Sequence, residues 1–168
     1  MNARLIIGVG GLTAIAILLT GCSSLATGST SSPGKPLQLR LVTSSLEGTC
    51  SAPALTSDAP ASACDRAGTT TYVLGKSLGT VTPTSVSLSK DQGPAHSVIL
   101  QLDNADISTV SNVSQEAIDK HLAILLNGRV LTAPLIMNSM TTSPLTLAFG
   151  TATEAKQAAT ELSTSATP

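Results

Sequence analysis

The chain has 168 residues, enough for one domain, and its nine basic and ten acidic residues give a net charge of −1 at neutral pH. It contains one Tyr, one Phe and no Trp. Without a basic face or aromatic side chains for bases to stack on, nucleic-acid binding is excluded as a function. The core must be built from aliphatic side chains, and a domain of about 125 residues can bury enough of them to fold alone.

The first 21 residues have the pattern of a secretory signal peptide, in which Arg4 precedes an apolar run over residues 5–19. The run is shorter than the roughly 20 residues that a membrane-spanning helix needs. The segment Leu19–Cys22 resembles the lipobox of bacterial lipoproteins. The resemblance implies that Cys22 carries acyl chains such as palmitate and anchors the protein to the extracytoplasmic face of the cell membrane. The alternative is an uncleaved membrane anchor with an incidental cysteine.

The mature chain is predicted to begin with a tether. Residues 22–36 are rich in Ser, Thr, Gly and Pro and contain one charge, so they lack the apolar side chains to pack and should be flexible. The alternation in Leu37–Val42 predicts a half-buried strand. We assign residues 37–162 to the folded domain and residues 163–168 to a disordered tail.

Two cysteines flank a loop rich in Ser, Ala and Pro, after which Thr70–Gly75 reads as a second strand. With Cys22 acylated, Cys50 and Cys64 remain in an oxidising compartment, and we predict a structural disulfide worth roughly 3 kcal/mol. The alternatives are a metal site, for which further ligands are missing, and a redox pair, which usually has the spacing Cys-x-x-Cys.

The middle of the chain predicts a hairpin and a short helix. Ser85–Ser89 and Val98–Leu102 alternate in polarity and are separated by the turn-forming cluster Lys90–Pro94. After a polar loop over residues 103–106, a helix is predicted over residues 114–121. Ser114 would be its N-cap, Glu116 would lie in the first turn, and His121 would cap the last carbonyls.

A tight hairpin is the strongest local prediction. Two apolar strands, Leu122–Leu126 and Arg129–Thr132, are separated by Asn127-Gly128, a pair that suits both positive-φ positions of a type I′ turn. Pro134 cannot donate a hydrogen bond to a sheet, so the second strand should end there.

The C-terminal part predicts a strand followed by a helix. Residues 135–140 have the pattern of either a short helix or a bulged crossing, and Leu145–Phe149 alternates as a strand. Thr151–Glu154 matches a capping box and precedes a stripe of small apolar residues at helical spacing. The predicted fold class is therefore α+β: a small antiparallel or mixed sheet of hairpins, two helices packed on it, and one disulfide-closed loop.

Several segments resemble the head subdomain of the SecD/SecDF protein-export family. The resemblance lies in the central strand–Asn-Gly–strand–Ala-Pro run and in Leu-x-x-Arg-x-Val at residues 37–42. It continues in Cys-Asp-x-x-Gly at 64–68, Tyr-Val-Leu-Gly at 72–75, and the Phe149 to Leu162 ending. It implies the fold of that head, and contact with unfolded or translocating polypeptide or with envelope proteins. The family's membrane spans, base subdomain and intramembrane acidic residues have no counterpart in the sequence, and the Trp usual near His96 is absent.

Catalytic and cofactor sites have little support. Neither His96, placed in a turn, nor His121 has the spacing of a zinc site or a Ser-His-Asp arrangement marked by Gly-x-Ser-x-Gly. Asp103, Asn104 and Asp106 lack the Gly and the terminal Glu of a calcium-binding loop. No Gly-rich phosphate loop is present, so no cofactor or metal is predicted and the protein is not expected to be an enzyme.

Two functions from different classes remain. The first is a lipid-anchored, non-catalytic protein-interaction module, accessory to protein export or to the cell envelope. The second is a carrier or sensor of a small apolar ligand. An exposed groove or strand edge would favour the first, and a large apolar cavity the second.

Overall fold

The computed structural model describes residues 33–89 and 96–163. The predicted signal peptide, Cys22, most of the tether, the turn at residues 90–94 and residues 164–168 lie outside the described residues. The elements that the structure describes are, in chain order, β1 Leu37–Glu47, β2 Ala61–Cys64, β3 Thr70–Val81, β4 Ser85–Leu88, β5 His96–Gln101, α1 Asn104–Glu116, β6 Leu122–Leu126, β7 Arg129–Thr132, β8 Leu145–Phe149 and α2 Ala152–Leu162. Neither α1 nor α2 has the length and hydropathy to cross a membrane.

The strands form two antiparallel sheets. One has five strands in the order β2-β3-β1-β6-β7, and the other has three in the order β4-β5-β8. Helix α1 packs near β3, and α2 packs near all three strands of the smaller sheet. The predicted α+β class, with two helices on antiparallel strands and a disulfide-closed loop, is confirmed, and the structure divides the strands into two sheets.

The main core lies between the sheets and the helices. Side chains alternate across a strand, so every second residue of β1 and β6 faces this core, opposite the apolar stripes of the helices. Ala155 and Ala158 are buried, and their small side chains let α2 approach the smaller sheet closely. Large buried members of this core include Leu37, Leu39, Val98, Leu100, Leu122, Ile124 and Leu162.

A second, smaller core lies on the opposite face of the five-stranded sheet. It contains Leu74, Leu125 and Val130, packed with Ala63 and Ala123. All five residues of β6 are buried, because one set faces each core. This explains why β6 reads as a continuous apolar run instead of alternating in polarity.

The β6–β7 hairpin has the strand bounds that the sequence predicts. Its two turn residues both have positive φ, 51° at Asn127 and 74° at Gly128. A Cβ on Gly128 would clash with the carbonyl oxygen of Leu55. The N–H of Leu55 in turn donates a hydrogen bond to the Gly128 carbonyl. Glycine is therefore required here both by the backbone angle and by the close approach of the loop before β2. Pro134 follows β7, and its carbonyl accepts a hydrogen bond from the N–H of Leu122.

The predicted helix over residues 114–121 is wrong, because the helix starts ten residues earlier, at Asn104, and ends at Glu116. Asp103, assigned to a polar loop, is its N-cap and accepts a hydrogen bond from the N–H of Asp106 at 2.8 Å. The helix ends at Glu116, and the positive φ of Asp119 then turns the chain away. Ser114, predicted as the N-cap, is buried inside the helix, where its hydroxyl accepts a hydrogen bond from the N–H of Met140.

His121 does not cap this helix, contrary to the prediction. Its Nδ1 lies 2.9 Å from the carbonyl oxygen of Ala133, and the carbonyl of Glu116 accepts instead from the Lys120 ammonium. The reason is positional, since the helix has already ended five residues before His121.

The C-terminal elements agree closely with the sequence. Strand β8 has the predicted bounds, and both hydrogen bonds of the capping box between Thr151 and Glu154 are present. Residues 135–140 form no helix, and Leu135 and Ile136 instead make isolated bridges to the segment before β6. Gly34 and Ser163 form an antiparallel bridge, so these two residues, assigned to the tether and the tail, lie side by side.

Candidate functional site

Among the described residues, the C-terminal half of β1 has a strand neighbour on one side only. Residues 37–41 pair with β6, and the last backbone bond on that side joins the N–H of Val42 to the carbonyl of His121 at 2.9 Å. Residues 43–47 are all exposed, and residues 44–47 continue to pair with β3 alone. We call residues 43–47 the open edge.

The backbone pattern shows which groups of the open edge are unpaired. The N–H of Gly48 donates to the carbonyl of Thr69, and the N–H of Asp65 donates to the carbonyl of Thr70. The first bond shows that the backbone groups of Gly48 face β3, and the second shows that those of Thr70, the partner of Glu47, face β2. Because backbone groups alternate between the two sides of a strand, the N–H and C=O groups of Ser44 and Leu46 also face β3. The N–H and C=O groups of Ser45 and Glu47 therefore face away from the sheet.

Two apolar side chains are exposed on one face of the open edge. Leu46, which is 74% exposed, and Val73 of β3, which is 42% exposed, belong to neighbouring cross-strand pairs and share this face. Tyr72 and Leu74 point to the opposite face and pack against the second core. The open edge thus combines unpaired backbone groups with an adjacent apolar surface.

The chain before β6 explains why the edge is open. If β6 continued toward its N-terminus, it would run beside the open edge, but the chain turns away at Asp119, where φ is 62°. The segments that meet after this turn expose three further large apolar side chains, those of Ile118, Leu135 and Met137. Because His121 bonds to Val42 and also bridges Leu135, Leu135 lies two strand positions from β1, roughly 10 Å away.

The disulfide and a carboxylate brace the tip beside the open edge. Cys50 and Cys64 are joined, as predicted, with their Cα atoms 5.6 Å apart and a sequence separation of 14. The Asp65 carboxylate accepts hydrogen bonds from the Thr69 N–H at 2.8 Å, the Thr69 hydroxyl at 2.7 Å and the Thr70 N–H at 3.2 Å. Burial acts to raise the pKa of Asp65, but these hydrogen bonds outweigh it and hold the pKa below its usual value.

Arg40, in the paired half of β1, is completely buried. Its guanidinium donates to the carbonyls of Ala59 at 2.7 Å and Gly75 at 3.0 Å, to the Ser57 carbonyl and to the Gln38 side chain. Burial lowers the pKa of Arg40, and the nearby Asp58 carboxylate opposes that change. The arginine fastens the loop before β2 onto the sheet, a role that the sequence pattern did not reveal.

Within the described residues, the histidines and the candidate acidic residues lie apart or serve as caps. His96 begins β5 instead of lying in a turn. The hydrogen bond of the His121 ring goes to the carbonyl of Ala133, not to a Ser or Asp side chain. Asp103 caps α1, and Asp106 accepts from the N–H of Thr82. Across residues 33–89 and 96–163, no group of three or more His, Cys, Asp or Glu side chains is arranged to hold a metal ion.

A surface cleft of about 550 Å³ lies between the loop after β2, strand β7 and helix α2. An ion pair between Arg66 and Glu161, 2.6 Å apart, lies in its wall beside Arg129 and Glu154. Phe149 contributes an apolar side chain. With charges of both signs around it, the cleft does not have the lining of a site for a small apolar ligand.

Comparison with known proteins identifies the domain. The family model described as the SecDF P1 head subdomain matches residues 62–168. No curated protein sequence matches the chain.

Two solved structures share the fold. One comes from work on SecDF, described as a membrane component that enhances protein export. It is 23% identical, has a TM-score of 0.51, and aligns over 77% of this chain and 62% of that chain. The other is a crystal structure of SecDF in a super-membrane-facing form. It is 23% identical, has a TM-score of 0.50, and aligns over 75% of this chain and 18% of that chain. The chain thus spans less than two thirds of either relative.

Proposed function

This chain belongs to the family of SecDF P1 head subdomains, and we propose that it is a non-catalytic, lipid-anchored module that binds polypeptide outside the cell membrane. Cys22 provides the anchor, and residues 23–36 provide the tether to the domain. The partner is an unfolded or translocating polypeptide, or an envelope protein with an extended segment, so the module is accessory to protein export or to envelope maintenance.

The open edge carries this proposal. Unpaired N–H and C=O groups on a strand accept an added strand, and this mode of binding needs no metal, nucleotide or nucleophile. The edge lies beside exposed apolar side chains, which suit the alternating side chains of an extended chain. Family membership also supports polypeptide binding, because a SecDF protein of known structure is described as enhancing protein export.

The charged cleft beside α2 does not support a carrier of a small apolar ligand. The cleft beside α2 is bordered by Asp65, Arg66, Arg129, Glu154 and Glu161. An apolar ligand placed there would leave these charged groups without compensating contacts, which costs free energy.

The anchor and the binding activity are tested separately on the full-length protein. Replacing Cys22 by Ala should move the protein out of the membrane fraction or leave it as the unprocessed precursor. Unchanged membrane partition with the same unprocessed N-terminus in both versions would refute the lipid anchor.

Binding is measured with the detergent-purified full-length protein and one precursor protein, offered either unfolded or folded. We expect the unfolded form to bind and the folded form not to bind, with no change on adding a metal chelator. If neither form binds, while organic extraction of the purified protein recovers a stoichiometric apolar compound, the carrier function is correct instead.

A further inference from the structure

We infer that the open edge of β1 binds an extended, charge-poor polypeptide segment as an additional strand, in line with β6 and with every second side chain on the face of Leu46. This inference rests on the proposed function and assigns its site. An extended segment is the expected occupant, because the exposed groups of β1 are the backbone donors and acceptors of Ser45 and Glu47. These two residues are two positions apart and face the same side of β1.

The terminal strands of the two described sheets are protected, and the open edge is not. Strands β2, β4, β7 and β8 are each four or five residues long, and each has a proline within two residues of one end, at Pro60, Pro83, Pro134 and Pro144. Proline lacks the N–H that an added strand would need, so it blocks extension of these edges. No proline occurs between Leu37 and Ala52.

The two ends of the five-stranded sheet also cover each other. Asp65, directly after β2, bridges Val130 of β7 in parallel. Consequently, the terminal strands of the five-stranded sheet are less available for strand addition than the middle strand β1, whose neighbour β6 ends early.

The chemistry of the open edge specifies its partner. Residues 43–47 are Thr, Ser, Ser, Leu and Glu, so the Glu47 carboxylate is the one charge of the segment. A bound strand next to Glu47 is favoured by a Lys or Arg and disfavoured by an acidic residue. On the face of Leu46, apolar side chains at alternate positions of the bound strand would contact exposed apolar surface of this domain.

A second copy of this chain fits the edge less well. Antiparallel pairing of two open edges centred on Ser45 would place each Glu47 opposite Thr43 of the partner, so neither carboxylate would gain a cation. An extended segment carrying a basic residue satisfies both the backbone groups and the charge. We therefore assign the edge to such a segment.

The test uses the detergent-purified full-length protein and a short synthetic peptide of alternating valine and threonine with one lysine. Ser45→Pro removes an outward-facing N–H without removing a bond to β3. It should weaken peptide binding by about tenfold, which is the upper end of what losing one hydrogen bond costs. Leu46→Ser, at an exposed position, should weaken it several-fold and leave the fold intact.

Two matched controls are available. Ser45→Ala keeps the backbone N–H and should bind as the parent does. Thr146→Pro removes an outward-facing N–H on β8, since the bond from the Ser89 N–H to the Ser97 carbonyl directs Leu145 and Leu147 toward β5. The Thr146→Pro variant should therefore bind the peptide as the parent does. A photo-crosslinker at position 45 should link to the peptide, whereas one at position 146 should not.

The outcomes separate the site from the function. If the peptide binds equally to the parent, Ser45→Pro and Leu46→Ser, the protein binds polypeptide at another surface and this inference is wrong. If Ser45→Pro changes the oligomeric state and the peptide never binds, the edge pairs with a second copy. If neither the peptide nor an unfolded precursor binds, the proposed function itself fails.

Discussion

The first half of β1, residues 37–41, lies between β3 and β6 and contributes to both cores, whereas residues 43–47 have β3 on one side and solvent on the other. The first half has alternating leucines and a buried arginine, and the second half has Thr, Ser and one exposed leucine. Both halves are strand, so backbone conformation does not distinguish them. The difference shows that one strand can contribute to the cores along part of its length and leave backbone groups exposed along the rest.

The largest effect should come from removing the buried charge in the paired half. Arg40→Met leaves the carbonyls of Ala59, Gly75 and Ser57 without their donor, and we expect a loss of more than about 3 kcal/mol in the free energy of unfolding. Urea unfolding of the full-length protein measures it. The exposed Arg129→Met is the matched control and should change stability by less than about 0.5 kcal/mol. Equal effects of the two substitutions would mean that Arg40 does not fasten the loop.

The disulfide should contribute the next largest effect, at the tip beside the open edge. Replacing Cys50 and Cys64 together by Ser should lower the free energy of unfolding by roughly 3 kcal/mol. Hydrogen exchange should increase most in residues 43–50 and 61–71, which the bond joins, and least in the β6–β7 hairpin. A uniform increase would show that the two halves of β1 open as one unit.

The Asp65 carboxylate should make the tip sensitive to acid. Because the folded-state pKa is depressed, its stabilisation is present above the unfolded pKa, near 4, and is lost as pH falls through the folded pKa. Asp65→Asn should therefore cost roughly 1 kcal/mol at neutral pH and progressively less in acid. Thr69→Val removes one of the donors, so its free energy of unfolding should lie between those of Asp65→Asn and the parent. A constant difference at all pH values would contradict this assignment.

The smallest effect on stability should come from the open edge itself. Leu46→Ser changes a side chain that is 74% exposed, so the free energy of unfolding should change by less than about 0.5 kcal/mol. The same substitution in the paired half, Leu39→Ser, places a hydroxyl in the main core and should destabilise strongly. Similar losses for the two variants would abolish the distinction between the halves.

The sequence predicted the elements whose signals are local. Strand β8, the hairpin around Asn127 and Gly128, and the capping box at Thr151 follow from alternation, from turn residues and from side-chain hydrogen bonds within a few positions. The cysteine pairing followed from their number. In each case the signal depends on residues close in the chain or on a count.

Features that depend on tertiary contacts were missed. Helix α1 is rich in Ser, Thr, Asn and Val, which rank low in helix propensity, and its signals were Asp103 as N-cap and the spacing of Ile107, Val110 and Val113. Strand β2 is formed of Ala, Ser and Cys and exists through pairing with β3 and the disulfide. The open edge depends on where the chain before β6 turns away, which no pattern in β1 itself encodes.

The bridge between Gly34 and Ser163 brings the two ends of the domain together, so the domain can be joined to other segments in more than one way. Since entry and exit lie side by side, the same unit can be inserted into a host protein at a single point or hang from one linker, without rearranging its core. The fold aligns with 18% of the length of one SecDF chain, where it is a small part of a much longer protein. The tether that we propose for this chain would instead be attachment by one linker. A module of this kind can change its setting during evolution while its open edge keeps the same shape.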